Sequence, residues 1–339
     1  MAISPHDALV LAVYLFAFVA GLPANLLAFY TFLAKLRRKA TPIDILLFNL
    51  TISDVILLLF LPFKMVEAAS GMTWPLPDFL CPLTGFCYYS SIYLSTLFLT
   101  AISVERYLGA TYPIKYKLNR RPVYAMVACF CFWLLACSHC SIVYIVQFQV
   151  KDLSNETDPF PANISKCYEK FSPKQLQILL PVRLELCVML FCLPFLVCLF
   201  CYVNLVRILA SMPNIQTRRK QRAIGLAVVT LLNFAICFAP YNISHIVGFI
   251  QNESPPWRVY VLLLSTLNAS LDPAIFYFSS TAIQRTFANC FARVARNFQA
   301  LTPWCNQLCW HCCDSEGESS GADKSSISNL GELPPQRIG

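Results

Sequence analysis

Charge is what this chain has least of. Only 13% of its 339 residues are Asp, Glu, Lys or Arg, about half of the roughly 25% a soluble domain carries. Hydrophobic residues make up 57%, and the mean hydropathy is +0.57. A water-facing surface needs polar cover that this composition cannot supply. The deficit excludes a cytosolic enzyme, a nucleic-acid binder and a disordered protein, and leaves a membrane protein. No basic residue precedes Lys35, and the first apolar run is too long for the h-region of a secretory leader, so no cleaved signal peptide is expected. No internal repeat is visible. The 17 cysteines are an odd number and cannot all pair with one another.

What is present is a series of apolar runs, each matching the ~20 residues needed to cross a bilayer. Seven are counted, at about Ala8–Ala34, Ile43–Ala68, Cys81–Ala110, Val123–Phe148, Leu176–Leu209, Ile224–Ile250 and Val259–Ser279. Pro23, Pro62, Pro194, Pro240 and Pro273 fall inside them, which membrane helices tolerate. The expected fold is therefore an all-α membrane protein, a seven-transmembrane helix bundle.

Basic residues set its direction. One side of the spans collects Lys35, Arg37, Arg38, Lys115, Arg120, Arg121, Arg218, Arg219, Lys220, Arg285 and Arg293, while the other mixes its Lys and Arg with acids. The basic excess marks the cytoplasm, so much of the net charge of +8 is topology. The N-terminus is then extracellular and the C-terminus cytoplasmic, as expected of a multi-pass plasma-membrane protein. Residues 1–7 form the extracellular start and 8–280 the seven-span domain. Residues 281–299 form an amphipathic eighth helix, and 300–339 a largely disordered tail. The sequons at Asn155 and Asn163 fall in the long extracellular loop Gln149–Gln175 and are glycosylation candidates, whereas those at Asn49, Asn242 and Asn268 lie inside spans. Cys81 and Cys167 both face the oxidising side, either as a disulfide or as two free thiols.

Ionisable groups inside a span are costly and default to functional roles. Asp54 sits midway along span two and Asp272 midway along span seven beside Asn268, with Asn25, Ser95 and Asn233 on other spans. A shared network with water and Na⁺ would satisfy them, and so would plain helix-to-helix bonding. No other cofactor and no structural metal is implied.

Glu105-Arg106-Tyr107 closes span three. A neighbouring carboxylate and guanidinium can pair locally, leaving charge poised beside the inner surface. Together with Gly21-Leu-Pro-Ala-Asn25, Leu50-Thr-Ile-Ser-Asp54, Trp133, Cys237-Phe238-Ala-Pro240 and Asp272-Pro273-Ala-Ile-Phe-Tyr277, this set resembles the landmarks of rhodopsin-like G-protein-coupled receptors, from about Leu9 to Phe298. The resemblance implies that Glu105, Arg106, Tyr107, Pro240, Asp272, Pro273 and Tyr277 serve activation and G-protein coupling. Three departures stand out. Glu105 replaces the commoner Asp, Phe238 stands where many members have Trp, and Asp272 replaces the usual Asn. Span seven has no Lys for a retinal Schiff base, and Leu83–Ser90 has no acid to hold a cationic amine.

The outer pocket is basic instead. At about 1.5 Å per residue, Arg183 lies about 36 Å of helix before Arg207, and His245 about 37 Å beyond Lys220 with Tyr241 one turn below. His139 lies about 27 Å beyond Arg121, Tyr89 two turns in from Cys81, and Arg258 at the start of span seven. Two guanidiniums, two imidazoles and two phenols at one depth make an anion trap, because Arg offers a forked, permanently charged donor matched to a carboxylate. The same segments, Leu180-Pro-Val-Arg183-Leu-Glu-Leu-Cys187, Tyr88-Tyr89-Ser-Ser-Ile-Tyr93 and Ala239-Pro-Tyr241-Asn-Ile-Ser-His245 among them, resemble the short-chain free fatty acid receptors, most of all the type-two branch. That resemblance implies that Arg183 and Arg258 hold the carboxylate, with His139, His245, Tyr89 and Tyr241 around them. It places Glu169 as an influence from the loop, and signalling through Gi/o and Gq. Acetate has four heavy atoms, which at ~1.5 kcal/mol each caps its affinity near tens of micromolar. A sensor of other small anions such as hydroxy acids or nucleotides is the runner-up, and a transporter a more distant one. An enzyme is not expected, since neither His139 nor His245 has an evident carboxylate partner.

Beyond Ser280, Ile283, Phe287, Phe291 and Val294 recur at helical spacing with Arg285, Arg293 and Arg296 elsewhere, which suits a helix lying on membrane lipid. Cys305, Cys309, Cys312 and Cys313 lack a second half to close a zinc site and are palmitoylation candidates. The serine-rich stretch after Asp314 offers phosphorylation sites for arrestin.

Overall fold

The structure, a computed structural model, describes residues 4–119, 121–146, 167, 171–212 and 216–296. It contains seven helices long and apolar enough to cross a membrane: α1 (Pro5–Arg38), α2 (Pro42–Ala69), α3 (Leu80–Thr111), α4 (Pro122–Val146), α5 (Pro173–Ser211), α6 (Lys220–Gln251) and α7 (Arg258–Ser279). No strand occurs among the described residues. The chain divides into two units, Met1–Phe287 holding the bundle and Ala288–Gly339, of which 288–296 are helical.

Helix starts follow from local chemistry. Pro occupies the first turn of α1, α2, α4 and α5, where its missing N–H removes a donor that would have no partner. Ser172 and Gln175 form a reciprocal capping box at α5, with bonds of 3.3 and 2.7 Å. Thr41 and Asp44 do the same at α2, and Lys35 Nζ reaches Asp44 at 2.5 Å. The short helix Pro113–Asn119 follows α3.

α3 runs through the centre and is mostly buried, whereas α1 and α4 expose most of their surface. The exposed residues include Phe16, Tyr30, Phe130, Leu196 and Ile250, the apolar exterior a bilayer requires. Asn25 Nδ2 ties α1 to α7 by donating to the Ala269 carbonyl at 2.7 Å.

Two helices are locally underwound. α5 contains a π turn at Val188–Cys192 and α6 another at Asn233–Phe238, each just before a proline, Pro194 and Pro240. Proline cannot donate to the carbonyl four residues back, and such breaks are repaired in membranes by neighbouring hydroxyls. Thr96 Oγ1 on α3 lies 2.7 Å from the Leu190 carbonyl, four residues before Pro194, and Ser265 Oγ on α7 donates at 2.7 Å to the Cys237 carbonyl, three residues before Pro240. Phe191, Phe195, Phe234 and Phe238 pack between the two turns, with ring centroids 5.6–6.3 Å apart. A π turn adds a residue without adding a full step of rise, so it resets which side chains face inward beyond it. Arg183 on α5, and Tyr241 and His245 on α6, lie just past these turns.

Candidate ligand-binding site

The end of the bundle where α3 begins is closed by the disulfide Cys81–Cys167, packed on Trp74. Glu67 of α2 is buried beneath it. One of its oxygens accepts the Cys167 backbone N–H at 3.0 Å and the other meets Lys64 Nζ at 2.8 Å. This carboxylate tether is not legible in the sequence, where Glu67 reads as an ordinary residue near a helix end.

Arg258, the first residue of α7, is 4% exposed and points inward. Its Nη2 donates to the hydroxyls of Tyr89 on α3 and Tyr241 on α6 at 3.2 and 3.3 Å. The guanidinium also lies 5.7 and 5.6 Å from the two ring centroids, and the rings stack on each other at 6.2 Å. Tyr241 meets His245 edge-on at 4.5 Å, and His245 Nε2 is 3.2 Å from the hydroxyl of Tyr93. Tyr93 was absent from the sequence-derived set, although it lies one turn beyond Tyr89 on the same face of α3.

Arg183, equally buried, donates to Ser254 at 3.4 Å and covers the ring of Phe171 at 4.8 Å. Both guanidiniums lie within electrostatic reach of Tyr241 and His245. The structure thus brings together Arg183, Arg258, Tyr89, Tyr241 and His245. Arg258 Nε and His245 Nδ1 are buried with no hydrogen-bond partner among the described residues. A buried polar group without a partner costs about 1–3 kcal/mol, more when charged. The arrangement therefore favours a small acceptor that is itself charged, and offers it a fork on one side and an imidazole N–H on the other.

His139 stands elsewhere. The sequence put it around the arginines; its partners here are the Leu135 carbonyl at 2.8 Å, Ser138, and Glu185 of α5 at 3.1 Å. Residue counting fixes depth along a helix but not rotation about its axis, and α4 turns His139 toward α5. The carboxylate partner that the sequence did not reveal is thus Glu185. Glu169, Asn155, Asn163, Cys305, Cys309, Cys312 and Cys313 lie outside the described residues.

Midway through the bundle, Asp54, Ser95, Asn268 and Asp272 are all fully buried. Asp54 and Asp272 face each other, and Asn233 Nδ2 donates to Asp272 at 2.8 Å. Neither Asp54 oxygen, nor Ser95 Oγ, nor either side-chain polar atom of Asn268 has a hydrogen-bond partner among the described residues. Two facing carboxylates flanked by unpartnered oxygens fit a hard monovalent cation, whose ligands are oxygens of this kind.

At the opposite end, Glu105 accepts the hydroxyl of Tyr116, and Arg106 Nη2 donates to the Ser279 carbonyl on α7 at 2.8 Å. Tyr107 packs edge-on against Phe200 of α5. Pro240 follows the α6 π turn, Asp272-Pro273 sits inside α7, and half-exposed Tyr277 holds Gln284 through its carbonyl at 2.8 Å.

Residues 24–276 match the family described as 7 transmembrane receptor (rhodopsin family). The chain is 50% identical over 283 residues to free fatty acid receptor 2 of Mus musculus, covering 83% of this chain and 84% of that one. It is 49% identical over 285 residues to free fatty acid receptor 3 of Homo sapiens, covering 84% and 80%, and 50% identical over 282 residues to human free fatty acid receptor 2, covering 83% and 84%. Identity alone does not separate the two types. These relatives are receptors and not enzymes. The chain belongs to the rhodopsin family of seven-transmembrane receptors, among its free fatty acid receptors.

Proposed function

We propose that this receptor answers to short-chain fatty acids, namely acetate, propionate and butyrate, at the plasma membrane, with the disulfide end extracellular and the Glu105 end coupled to Gi/o and Gq. The observation that carries the reading is the setting of Arg258. It is a buried cation whose described partners are two neutral phenols, and the second guanidinium bears on the same Tyr241 and His245. A carboxylate between Arg258 and Arg183 supplies the missing negative charge and relieves the repulsion between the two cations. A short alkyl chain among these aromatic rings gains about 0.8 kcal/mol for each buried CH₂. Glu169 tunes the arginine pair from the loop.

Na⁺ held by Asp54, Ser95, Asn268 and Asp272 is part of the proposal as an allosteric ion. So are glycosylation at Asn155 and Asn163, palmitoylation within Cys305–Cys313, a membrane-lying helix at 281–299 and arrestin binding to the phosphorylated tail. The test is a titration of carboxylates from C2 to C12 in cells expressing the receptor, reading cAMP inhibition and calcium release. Responses confined to the shortest acids are expected; responses to phosphates with none to any carboxylate overturn the reading.

A further inference from the structure

Helix α7 is built of two segments. Arg258–Thr266 and Asn268–Ser279 meet at Leu267, whose N–H turns back only three residues, to the Leu264 carbonyl at 3.2 Å. Arg258 begins the first segment, and at about 1.5 Å per residue it lies about 12 Å from Thr266 at the joint. The segment is therefore a short lever with the guanidinium at its far end. A tilt of about 10° at the joint carries that end about 2 Å. The bonds from Arg258 to Tyr89 and Tyr241, at 3.2 and 3.3 Å, already stand at the long limit for N–H···O. A movement of that size breaks at least one of them.

The groups that set the angle of this lever lie at its joint. Tyr88 of α3, 2% exposed, places its hydroxyl 3.2 Å from the Leu262 carbonyl and within hydrogen-bonding distance of Thr266 Oγ1. Thr266 Oγ1 is in turn 3.3 Å from the same carbonyl. Two hydroxyl protons serve these three oxygens: one hydroxyl donates to the other, which donates to the carbonyl. In either order Tyr88 is bonded to the last turn of the segment. Ser265 ties the same turn to α6 by donating to the Cys237 carbonyl. The ring of Tyr88 also meets that of Tyr89 edge-on at 5.7 Å. One side chain thus touches both the segment that carries Arg258 and the phenol that receives it.

We propose that Tyr88 is a positioning residue for the ligand: by tying the joint end of the first α7 segment to α3, it fixes where Arg258, at the other end, meets Tyr89. The inference rests on the reading of Arg258 as the anchor of a carboxylate. Without the tie the segment samples angles at which the guanidinium misses its phenols. A ligand must then recruit the competent fraction, and its apparent affinity falls in proportion to that fraction. The loss is bounded by the worth of the bond, about tenfold, and saturating ligand restores the full response.

Tyr88→Phe keeps the ring and removes the tie. At equal surface expression it should need roughly three- to tenfold more propionate for half response and still reach the wild-type maximum. A receptor that merely folds less well loses maximum instead. Thr266→Val leaves Tyr88 the Leu262 carbonyl and should lose less; added to Tyr88→Phe it should cost nothing further, because the two hydroxyls act as one unit. The second measurement uses no ligand. Spin labels on p-acetylphenylalanine in place of exposed Phe79 and Tyr260 report the distance from α3 to the first segment of α7, and labels in place of exposed Leu108 and Leu271 report that to the second. Double electron–electron resonance should show a broader first distribution in Tyr88→Phe and an unchanged second. Unchanged potency, an unchanged first distribution, or equal broadening of both pairs overturns the proposal. A wild-type receptor silent to every carboxylate overturns the fatty-acid reading instead, and the spin-label distances still decide whether Tyr88 sets the lever.

Discussion

The hydroxyl of Thr96 lies 2.7 Å from two carbonyls and shares its proton between them: that of Tyr93 on its own helix, and that of Leu190, the acceptor that Pro194, four residues further on, has no N–H to serve. The bond crosses from α3 to α5 at the π turn that aims Arg183 inward. Replacing the hydroxyl by a methyl leaves a buried carbonyl with no donor and almost no other change of shape. Thr96→Val should cost about 1 kcal/mol, in line with interhelical hydrogen bonds in membranes. Thermal unfolding of the purified receptor checks it: the midpoint should fall in Thr96→Val and return in Thr96→Ser. An unshifted midpoint would mean that the turn satisfies itself.

Arg258 works by being a fork. Its Nη2 alone reaches hydroxyls on two different helices while the guanidinium lies near both rings, which leaves its other nitrogens for a carboxylate, whereas a lysine ammonium is one point charge with no second nitrogen to offer. Arg258→Lys should therefore abolish the propionate response almost as fully as Arg258→Ala or Arg183→Ala, with normal surface expression in each. Tyr89→Phe and Tyr241→Phe each remove one acceptor for the fork and should weaken potency about tenfold, the worth of one bond to a charged group. Retained potency in Arg258→Lys would reduce the arginine's role to charge alone.

Gly225 of α6 lies against the ring of Phe278 on α7. A Cβ built there falls 2.8 Å from Phe278 Cε1 and 3.0 Å from its Cδ1, inside van der Waals contact with a ring that packs on the core. Gly225→Ala should push α6 and α7 apart near the Glu105 end at a cost of about 1–3 kcal/mol, even though alanine is the better helix former. Phe278→Leu, added as a second change, should recover most of the lost thermal stability. A Gly225→Ala receptor as stable as the parent would show that the ring swings aside freely.

Much of this molecule is legible in its sequence, and the part that is not has a common cause. The spans stand out because a bilayer demands ~20 apolar residues in a row; Cys81–Ala110 was expected and Leu80–Thr111 is found. Depth is equally readable, since rise per residue is constant, and Arg183, Arg258, Tyr89, Tyr241 and His245 do meet. Rotation is not readable. The π turns at Val188–Cys192 and Asn233–Phe238 each insert a residue that no periodicity announces, and His139 faces Glu185 instead of the cage. Tyr93 and Glu67 were missed for a related reason: each acquires its role only through a partner on another segment, His245 for one and the Cys167 backbone for the other.

The central carboxylates permit a test of sodium that does not depend on any agonist. Asp54 and Asp272 face each other without water-accessible surface, and Asn233 donates to Asp272. A cation bound between them stabilises the folded receptor by mass action, about 1.4 kcal/mol when its concentration is ten times Kd. Raising NaCl against choline chloride at fixed ionic strength should therefore raise the melting temperature of the wild-type receptor. Asp54→Asn keeps the shape and removes one charge, so its melting temperature should be insensitive to the exchange of choline for sodium. The same variant relieves the repulsion between two facing carboxylates, so in choline alone it should melt no lower than wild type. A sodium-dependent rise of equal size in Asp54→Asn would place the cation elsewhere. A wild-type midpoint indifferent to sodium would leave these groups as hydrogen-bonding contacts between α2 and α7.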